Sequence, residues 1–404
     1  MPLRLILFLL VFFAALYLLF GDHKPSSSIT ISPEKAAALQ YAKWQRWRTV
    51  EPPQDRIRVL WIDQDYVPWV NAGSEICSHD VNRWLIQKPY KWDVFVATPG
   101  YPKVTYDGVR CFNLHDTNTF LDVLRSTHMI CSHSYAYRDQ LLFICRVTGI
   151  PFVGWVHTDN YVHAALRDRG DAWNDARCAG RQWTIFNSNS MRDLVKTPVQ
   201  NSTVFIPTVD YREYRVAKHA PRYVTLSNLN YNKGGDLLIK LARACPDIEF
   251  LGVRGGYAKQ IVDATPPPNL TYMSHTTRIK DIYEKTWVQI MPSLKETWGR
   301  TAVEAMSSGI PVIVSPTPGL RECCGAAAVY VDRYDLEGWV TALRKLKDDP
   351  EWYKSRSKIA LERARALDPR PVLANIEEWL ETQVAPSRTP FRDLSVAEKN
   401  LLFR

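Results

Sequence analysis

The sequence predicts an α/β protein built from two doubly wound parallel sheets, and three observations predict it. The first is length: 404 residues exceed what one hydrophobic core usually holds, which sets two domains as the starting expectation. The second is rhythm. From Arg56 to about Pro207, short apolar runs alternate with segments of helical spacing, and the alternation resumes at Arg222. The third is the make-up of the strand candidates. Runs such as VQIM (288–291) and IPVIVS (310–315) are predominantly apolar, as expected of parallel strands covered on both faces.

In the first half, RVLWI, WDVFVA, HMICS, PFVGWV and TIFNS read as strands. SEICSHDVNRWLI, TFLDVLRS, DQLLFICRV and the AWNDARCAG segment read as the helices between them. In FNSNSMRDLV a serine caps a further helix, and FIPTVD reads as the strand leading out of the domain. Arg212 to His219 is a polar, basic linker. RYVTLSN opens the second sheet, followed by the helix DLLIKLARA, the strand IEFLGV, a strand in PPPNLTYMS and the helix RIKDIYEKT. Val288 to Glu322 then reads strand, loop, helix, strand, loop, its helix TAVEAMSSG closing on Gly309 as a C′ glycine. AAVYV is the last strand, followed by the helix DLEGWVTALRKLKDD. The helices WYKSRSKIALERARAL and VLANIEEWLETQV flank a proline-marked break at DPRPV. The resulting division is 1–21 apolar segment, 22–55 stem, 56–217 first domain, 218–370 second domain, 371–386 final helix and 387–404 polar tail.

Composition narrows the function classes. Apolar residues make up 46% and charged residues 23%, ordinary for a globular protein. A net charge of +9 suits an anionic partner, but the basic residues are dispersed and no finger, homeodomain or basic-zipper pattern occurs, so nucleic acid is set aside. The eight cysteines include no C-x-x-C, and Cys323 and Cys324 are adjacent, so they read as buried thiols rather than a zinc ribbon or a disulfide framework. No His/Cys/Asp cluster has metal-ligand spacing.

Leu5 to Phe20 is uninterrupted and apolar. Those sixteen residues span roughly 24 Å as a helix, short of the ~30 Å hydrocarbon core, but Leu3 extends the segment and Arg4 can snorkel. Because Tyr17 to Gly21 supplies no small-x-small cleavage site, the segment reads as an uncleaved single-pass membrane anchor rather than a signal peptide. Anchor plus stem points to a body in the lumen of the secretory pathway. A cytoplasmic-facing enzyme of bacterial or viral origin is the rival, for which unpaired cysteines are natural. Asn201 and Asn269 lie in N-x-[ST] sequons, which two chance matches explain equally well.

The stretch 288–322 carries the chemistry. Glu296 lies in the loop before a helix and Glu304 within that helix, eight positions on. The bland reading, a cap and a solvated residue, fits either glutamate alone. It fits Glu304 poorly, since Val303, Ala305 and Met306 flank it between two buried strands. The backbone N–H groups of Gly299, Arg300 and Thr301 start the helix, a place that favours phosphates. Lys233, before Gly234 and Gly235 at another helix start, is a second candidate for a diphosphate, with a solvated lysine as the plain alternative. His157 lies just past the strand PFVGWV. Gly73 follows the first strand before a helix, where a turn glycine is the simpler reading. Asp63-Gln64-Asp65 has the form of a metal-diphosphate clamp but sits after the first strand, and reads as a loop and cap pair.

PSLKETWGR, EAMSSGIPVI and PGLRE, with the two glutamates, resemble the glutamate–seven residues–glutamate signature of retaining glycosyltransferases of family 4. The resemblance extends, less strongly, over Arg56 to Val384. It implies a GT-B architecture, two Rossmann-like domains facing a cleft, with a final helix crossing back to the first domain through a hinge at Pro369 and Pro371. It implies transfer of a sugar, a hexose by expectation, from a nucleoside diphosphate sugar to a glycan, glycolipid or glycoprotein acceptor, with retention and without metal or other cofactor. It places Glu296 on the donor sugar, Glu304 on the ribose and His157 at the reacting centre. Lys233 and the N–H groups near Gly299, Arg300 and Thr301 fall on the diphosphate. Gly73 and Arg254 join the donor site, as does Asn228, which stands where many members carry an arginine. That departure favours a weakened or inactive sugar-nucleotide-binding protein, and Arg254 is the residue able to compensate. A sugar-nucleotide epimerase shares the architecture, but the chain shows no added acid–base set for it.

Overall fold

The computed structural model describes residues 56–70, 72–133, 137–158, 178–195, 199–256 and 258–388. The apolar segment and stem, most of the AWNDARCAG helix and the tail from 389 lie outside the described residues. Among the described residues no helix is long and apolar enough to cross a membrane.

The first sheet holds β1 (Ile57–Ile62), β2 (Trp92–Thr98), β3 (Val104–Tyr106), β4 (Val109–Asn113), β5 (Met129–Ser132), β6 (Phe152–Val156), β7 (Gln182–Phe186) and β8 (Ser202–Val204). Their order is β3-β4-β2-β1-β5-β6-β7-β8, parallel apart from the β3–β4 hairpin. Side chains of a strand alternate between faces, and here both faces are buried. Val59 and Trp61 of β1 join one core with Val94 and Val96 of β2. Leu60 and Ile62 join the other with Phe95 and Ala97. Helices α1 (Gly73–Ile86), α2 (Thr117–Arg125), α3 (Arg138–Thr148) and α4 (Asn189–Arg192) connect the strands.

A short helix, α5 (Tyr211–Tyr214), leads into the second sheet, and its tyrosines pack with Val209 and Val216 on the second domain's core. That sheet holds β9 (Tyr223–Ser227), β10 (Glu249–Val253), β11 (Leu270–Met273), β12 (Thr286–Met291), β13 (Val312–Val314) and β14 (Ala328–Tyr330). The order β11-β10-β9-β12-β13-β14 is fully parallel and reverses direction between β9 and β12. Its helices are α6 (Gly235–Ala244), α7 (Ile279–Tyr283), α8 (Arg300–Met306), α9 (Pro318–Cys324), α10 (Leu336–Asp348) and α11 (Pro350–Ala366). The last helix, α12 (Pro369–Trp379), runs on in wider turns to Val384. It returns to the first domain, where Leu373, Ile376, Leu380 and Val384 enter the core beside β1 and β2. Glu377, 4% exposed, accepts from the indole N–H groups of Trp84 (2.7 Å) and Trp92 (3.0 Å) and pairs with Lys88.

Several local expectations change. FIPTVD is not a strand: the pairing segment lies just before it, as β8. PGLRE is not a loop but α9, started by Thr317, whose side chain accepts from the Leu320 N–H, with proline in the first turn. The β3–β4 hairpin, turning on Asp107 and Gly108 with φ of 50° and 85°, adds a pair of strands to the expected sheet. Pro369 and Pro371 belong to the first turn of α12, capped by Asp368, rather than to a flexible hinge. Both sequon asparagines are tied into the fold. Asn269 donates through Nδ2 to the carbonyls of Ala242, Cys245 and Ile248, and Asn201 to those of Gly180 and Gln182. All eight cysteines are buried.

Candidate active site between the two sheets

The carboxyl ends of both sheets face a cleft of about 1320 Å³, and every candidate named from sequence lines it: Gly73, His157, Asn228, Lys233, Arg254, Glu296, Gly299, Arg300, Thr301 and Glu304. The topology explains the convergence. In an open parallel sheet the crevice forms where strand order reverses. Lys233 follows β9 and Glu296 follows β12, the two strands on either side of that reversal.

Lys233 Nζ lies 2.5 Å from Glu296 Oε1, which also accepts from Ser293 Oγ at 2.9 Å. The lysine is aimed by its own loop. Asn230 Oδ1 accepts from the Lys233 N–H at 3.0 Å. Gly234 then takes φ of 103°, and a Cβ on Gly235 would stand 2.1 Å from the Leu229 carbonyl oxygen. The glycine pair is therefore a packing requirement as well as a flexible cap.

Gly299, with φ of 128°, precedes α8, whose first N–H groups have no partner within the helix and open toward the cleft. One turn in, Glu304 is 8% exposed, and both its oxygens are engaged: Oε1 by Arg300 Nε at 3.0 Å, Oε2 by the Tyr283 hydroxyl at 2.9 Å. Burial and the adjacent carboxylate push the Tyr283 hydroxyl well above its ordinary pKa, so it remains a donor. The Arg300 guanidinium bonds to the Thr208 carbonyl and the Tyr214 hydroxyl, and lies 3.6 Å from Asp80 on α1. It is a bridge between domains, so only its main-chain N–H remains as the expected phosphate contact.

Asn228 has φ of 67°, a conformation asparagine tolerates better than arginine. Its Oδ1 accepts from Asn230 Nδ2 and Gln260 Nε2, both at 3.0 Å. The carbonyl end of this amide thus holds the loop, and Gln260, unremarked in the sequence, ties Leu229 and Gly255 into the same turn. Arg254 is exposed on the cleft wall beside it. A Cβ at Gly73 would meet nothing within 4 Å, and the residue opens α1 rather than a tight turn.

On the opposite wall His157 closes β6. Its Nε2 is shut from solvent with no hydrogen-bond partner among the described residues. Its ring centroid stands 4.7 Å from that of Trp155 and 5.6 Å from that of His133. Burial, then the neighbouring His133, hold its pKa well below the usual range, so the imidazole is neutral at pH 7. Asp63 is neither a cap nor placed as a metal clamp. Fully buried, it accepts from the His133 N–H (2.8 Å) and Ser132 Oγ (3.1 Å), fixing the end of β5 next to His157. Asp65 is exposed. Among the described residues no group of three or more His, Cys, Asp or Glu could hold a metal ion.

Two residues not anticipated from sequence join the walls. Thr297 Oγ1 donates to the His157 carbonyl at 2.9 Å and accepts from Asn187 Nδ2 at 2.9 Å. Both line the cleft. Contacts across a cleft carry no periodic signal, so nothing in a single sequence marks them.

Residues 210–363 match the family described as glycosyl transferases group 1. The O-antigen chain mannosyltransferase RfbU of Salmonella typhimurium is 30% identical over 95 residues, 23% of this chain and 27% of that protein. D-inositol 3-phosphate glycosyltransferase of Rhodococcus opacus is 35% identical over 75 residues, 18% of this chain and 17% of that protein. The matched segments span 27% and 17% of these two relatives' length. Among solved structures, sucrose-phosphate synthase from Thermosynechococcus elongatus superposes with a TM-score of 0.66 at 15% identity, over 82% of this chain and 100% of that one. Anabaena HepE in complex with UDP-glucose gives 0.64 at 16% identity, over 81% and 100%. The two-sheet fold is therefore that of known GT-B proteins, and residues 210–363 carry the similarity to glycosyl transferases group 1.

Proposed function

We propose that the protein is a retaining glycosyltransferase of family 4 type that takes a sugar from a nucleoside diphosphate sugar. The observation that carries this is the meeting of Lys233 and Glu296 at the strand-order reversal of the sheet similar to glycosyl transferases group 1, with buried Glu304 one helix turn into α8. Lys233 Nζ and the N–H groups at the start of α8 take the diphosphate, so that on donor binding the lysine exchanges its carboxylate partner for phosphate. Glu296, relieved of that pair, accepts from donor-sugar hydroxyls. Glu304 receives the ribose hydroxyls on its remaining lone pairs, its geometry fixed by Arg300 and Tyr283. Neutral His157 faces the reacting carbon from the other wall.

The chemistry asked of these groups is electrostatic. Charge grows on the leaving diphosphate, and fixed donors stabilise it without reorganising. The departing phosphate oxygen then takes the acceptor's proton on the same face, which gives retention. Lys233 supplies the positive charge, so the reaction is proposed to proceed without a divalent ion. HepE, described with UDP-glucose bound, supports a nucleotide sugar in this cleft. The acceptor is proposed to be a glycan or lipid-linked sugar approaching along the first domain, past Trp69, Val70 and Trp84. Residues 5–20 are proposed to anchor the body at a membrane, lumenal side, and protease digestion of sealed microsomes without detergent overturns the lumenal placement.

Incubation with a panel of sugar nucleotides in EDTA tests the reading. Release of nucleoside diphosphate, with an axial donor linkage kept axial in the product by NMR, is expected. Tight nucleoside diphosphate binding without turnover of any donor identifies an inactive binding protein instead. Turnover restored only by manganese removes the metal-independent mechanism.

A further inference from the structure

We propose that Asn187 and Thr297 are positioning residues that set the distance between the donor-sugar contact Glu296 and the reacting centre at His157; this rests on the glycosyl-transfer reading above. Three hydrogen bonds close a ring across the cleft. Asn187 Nδ2 donates to the His157 carbonyl at 3.2 Å and to Thr297 Oγ1 at 2.9 Å, and Thr297 Oγ1 donates to the same carbonyl at 2.9 Å. The valences balance. The amide nitrogen has two hydrogens and uses both, the hydroxyl has one and uses it, and the carbonyl accepts on two lone pairs. No group in the ring is left short, so rotating any one of them breaks a bond without replacement.

Each corner is fixed from behind. Asn187 is 2% exposed, and its N–H donates to the Val156 carbonyl at 3.2 Å, which locks it beside the end of β6. On the other side Gly319 of α9 lies against the loop so closely that a Cβ there would stand 2.4 Å from the Glu296 carbonyl oxygen and 2.7 Å from the Trp298 nitrogen. The main chain of residues 296–298 is thus gripped by α9 on one face and by Asn187 on the other. Glu296 is the residue directly before Thr297, so the ring fixes where its side chain starts. A second inter-domain contact supports the same docking: Glu322 of α9 accepts from the Asn189 and Ser190 N–H groups, each at 2.8 Å, at the start of α4. Retaining transfer requires sugar, leaving group and acceptor in one geometry, and a displacement of about 1 Å in such a site costs on the order of 100-fold. Loss of the ring is therefore read in turnover rather than in nucleotide affinity, because none of its hydrogen bonds involves Lys233 or the N–H groups of Gly299, Arg300 and Thr301.

The test uses the full chain with Thr297→Val, which keeps the shape and removes the hydroxyl, Thr297→Ser, which restores it, Asn187→Ala, and the Asn187→Ala/Thr297→Val double variant. Thr297→Val is expected to lower kcat about tenfold or more with nucleoside diphosphate Kd changed less than twofold, and Thr297→Ser to recover most of the loss. The double variant is expected to be no slower than the worse single one. Losses that simply multiply, or a Thr297→Val kcat within twofold of the parent, overturn the proposal. Hydrogen exchange gives a readout that needs no turnover: amides of 293–299 exchange faster in Thr297→Val and return to the parent rate in Thr297→Ser. Unchanged exchange in Thr297→Val also overturns it. A parent without turnover sinks the glycosyl-transfer reading alone, and the exchange result still judges the ring.

Discussion

Glu296 and Glu304 are both glutamates lining one cleft, yet their surroundings give them different work. Glu296 shares one oxygen between Lys233 and Ser293, a pairing that a ligand can displace. Glu304 is held on both oxygens, by the buried Tyr283 and the part-buried Arg300. Glu296→Gln is therefore predicted to cut turnover at least tenfold while calorimetry shows nucleoside diphosphate binding nearly intact. Glu304→Gln is predicted to weaken that binding itself, by about 1–3 kcal/mol, since its amide would turn a donor toward Arg300 or Tyr283. Equal losses in both would reverse the assignment of roles. Histidines carry the pH prediction. His128 accepts from the Arg58 N–H through Nδ1 at 3.0 Å, and burial, with Arg388 and Arg58 nearby, lowers its pKa to about 4. His157 is shifted in the same direction. A depressed histidine binds its proton in the unfolded chain first, so stability is full above pH ~6.5 and falls as pH drops toward 4. Urea midpoints measured across that window should fall, and His128→Gln should flatten the slope. At this scale the sequence showed which residue types gather but not which atoms remain open. The main-chain N–H of Arg300 is readable as a phosphate contact, but the engagement of its guanidinium by Tyr214, Thr208 and Asp80 is not.

Elements built on apolar rhythm were legible because both faces of each sheet are buried and demand continuous apolar runs. The missed ones had other signals. Tyr106-Asp107-Gly108-Val109 carries the Asp-Gly hairpin turn, and Thr317-Pro318 carries a cap followed by an N1 proline, both readable by turn and cap rules rather than by periodicity. FIPTVD misled because an apolar pair before a proline resembles a strand end, whereas the chain has already left the sheet. α9 matters beyond its own packing, because Gly319 seats the Glu296 loop. Gly319→Ala is predicted to lower turnover sharply, the contact being with rigid main chain, while the thermal midpoint moves by only a few degrees. If the variant turns over normally, the loop is not seated by α9. Gly235→Ala, set against the Leu229 carbonyl, should instead destabilise the second domain by about 2 kcal/mol or more, visible in denaturant titration.

Among the described residues, polar contacts that dock the two halves include Arg300 with Asp80 and Thr208, Glu322 with Asn189 and Ser190, Thr297 with Asn187 and the His157 carbonyl, and Glu377 with Trp84, Lys88 and Trp92. None follows from spacing, since partners lie up to 293 positions apart. The two-sheet plan was legible from alternation; the docking was not. Glu377→Ala leaves two indole N–H groups unpaired against a buried core and is predicted to cost about 2–4 kcal/mol of first-domain stability, with α12 amides losing exchange protection. Full protection in that variant would show that apolar packing alone seats the helix. The central claim is that this cleft transfers sugar from a nucleoside diphosphate through Lys233 and Glu296. Its most direct measurement is nucleoside diphosphate release by the parent, Lys233→Met and Glu296→Gln, purified side by side and assayed in EDTA. The account predicts donor-dependent release by the parent and rates at least tenfold lower in both variants. Equal release by all three, or none by the parent with any sugar nucleotide, would contradict it.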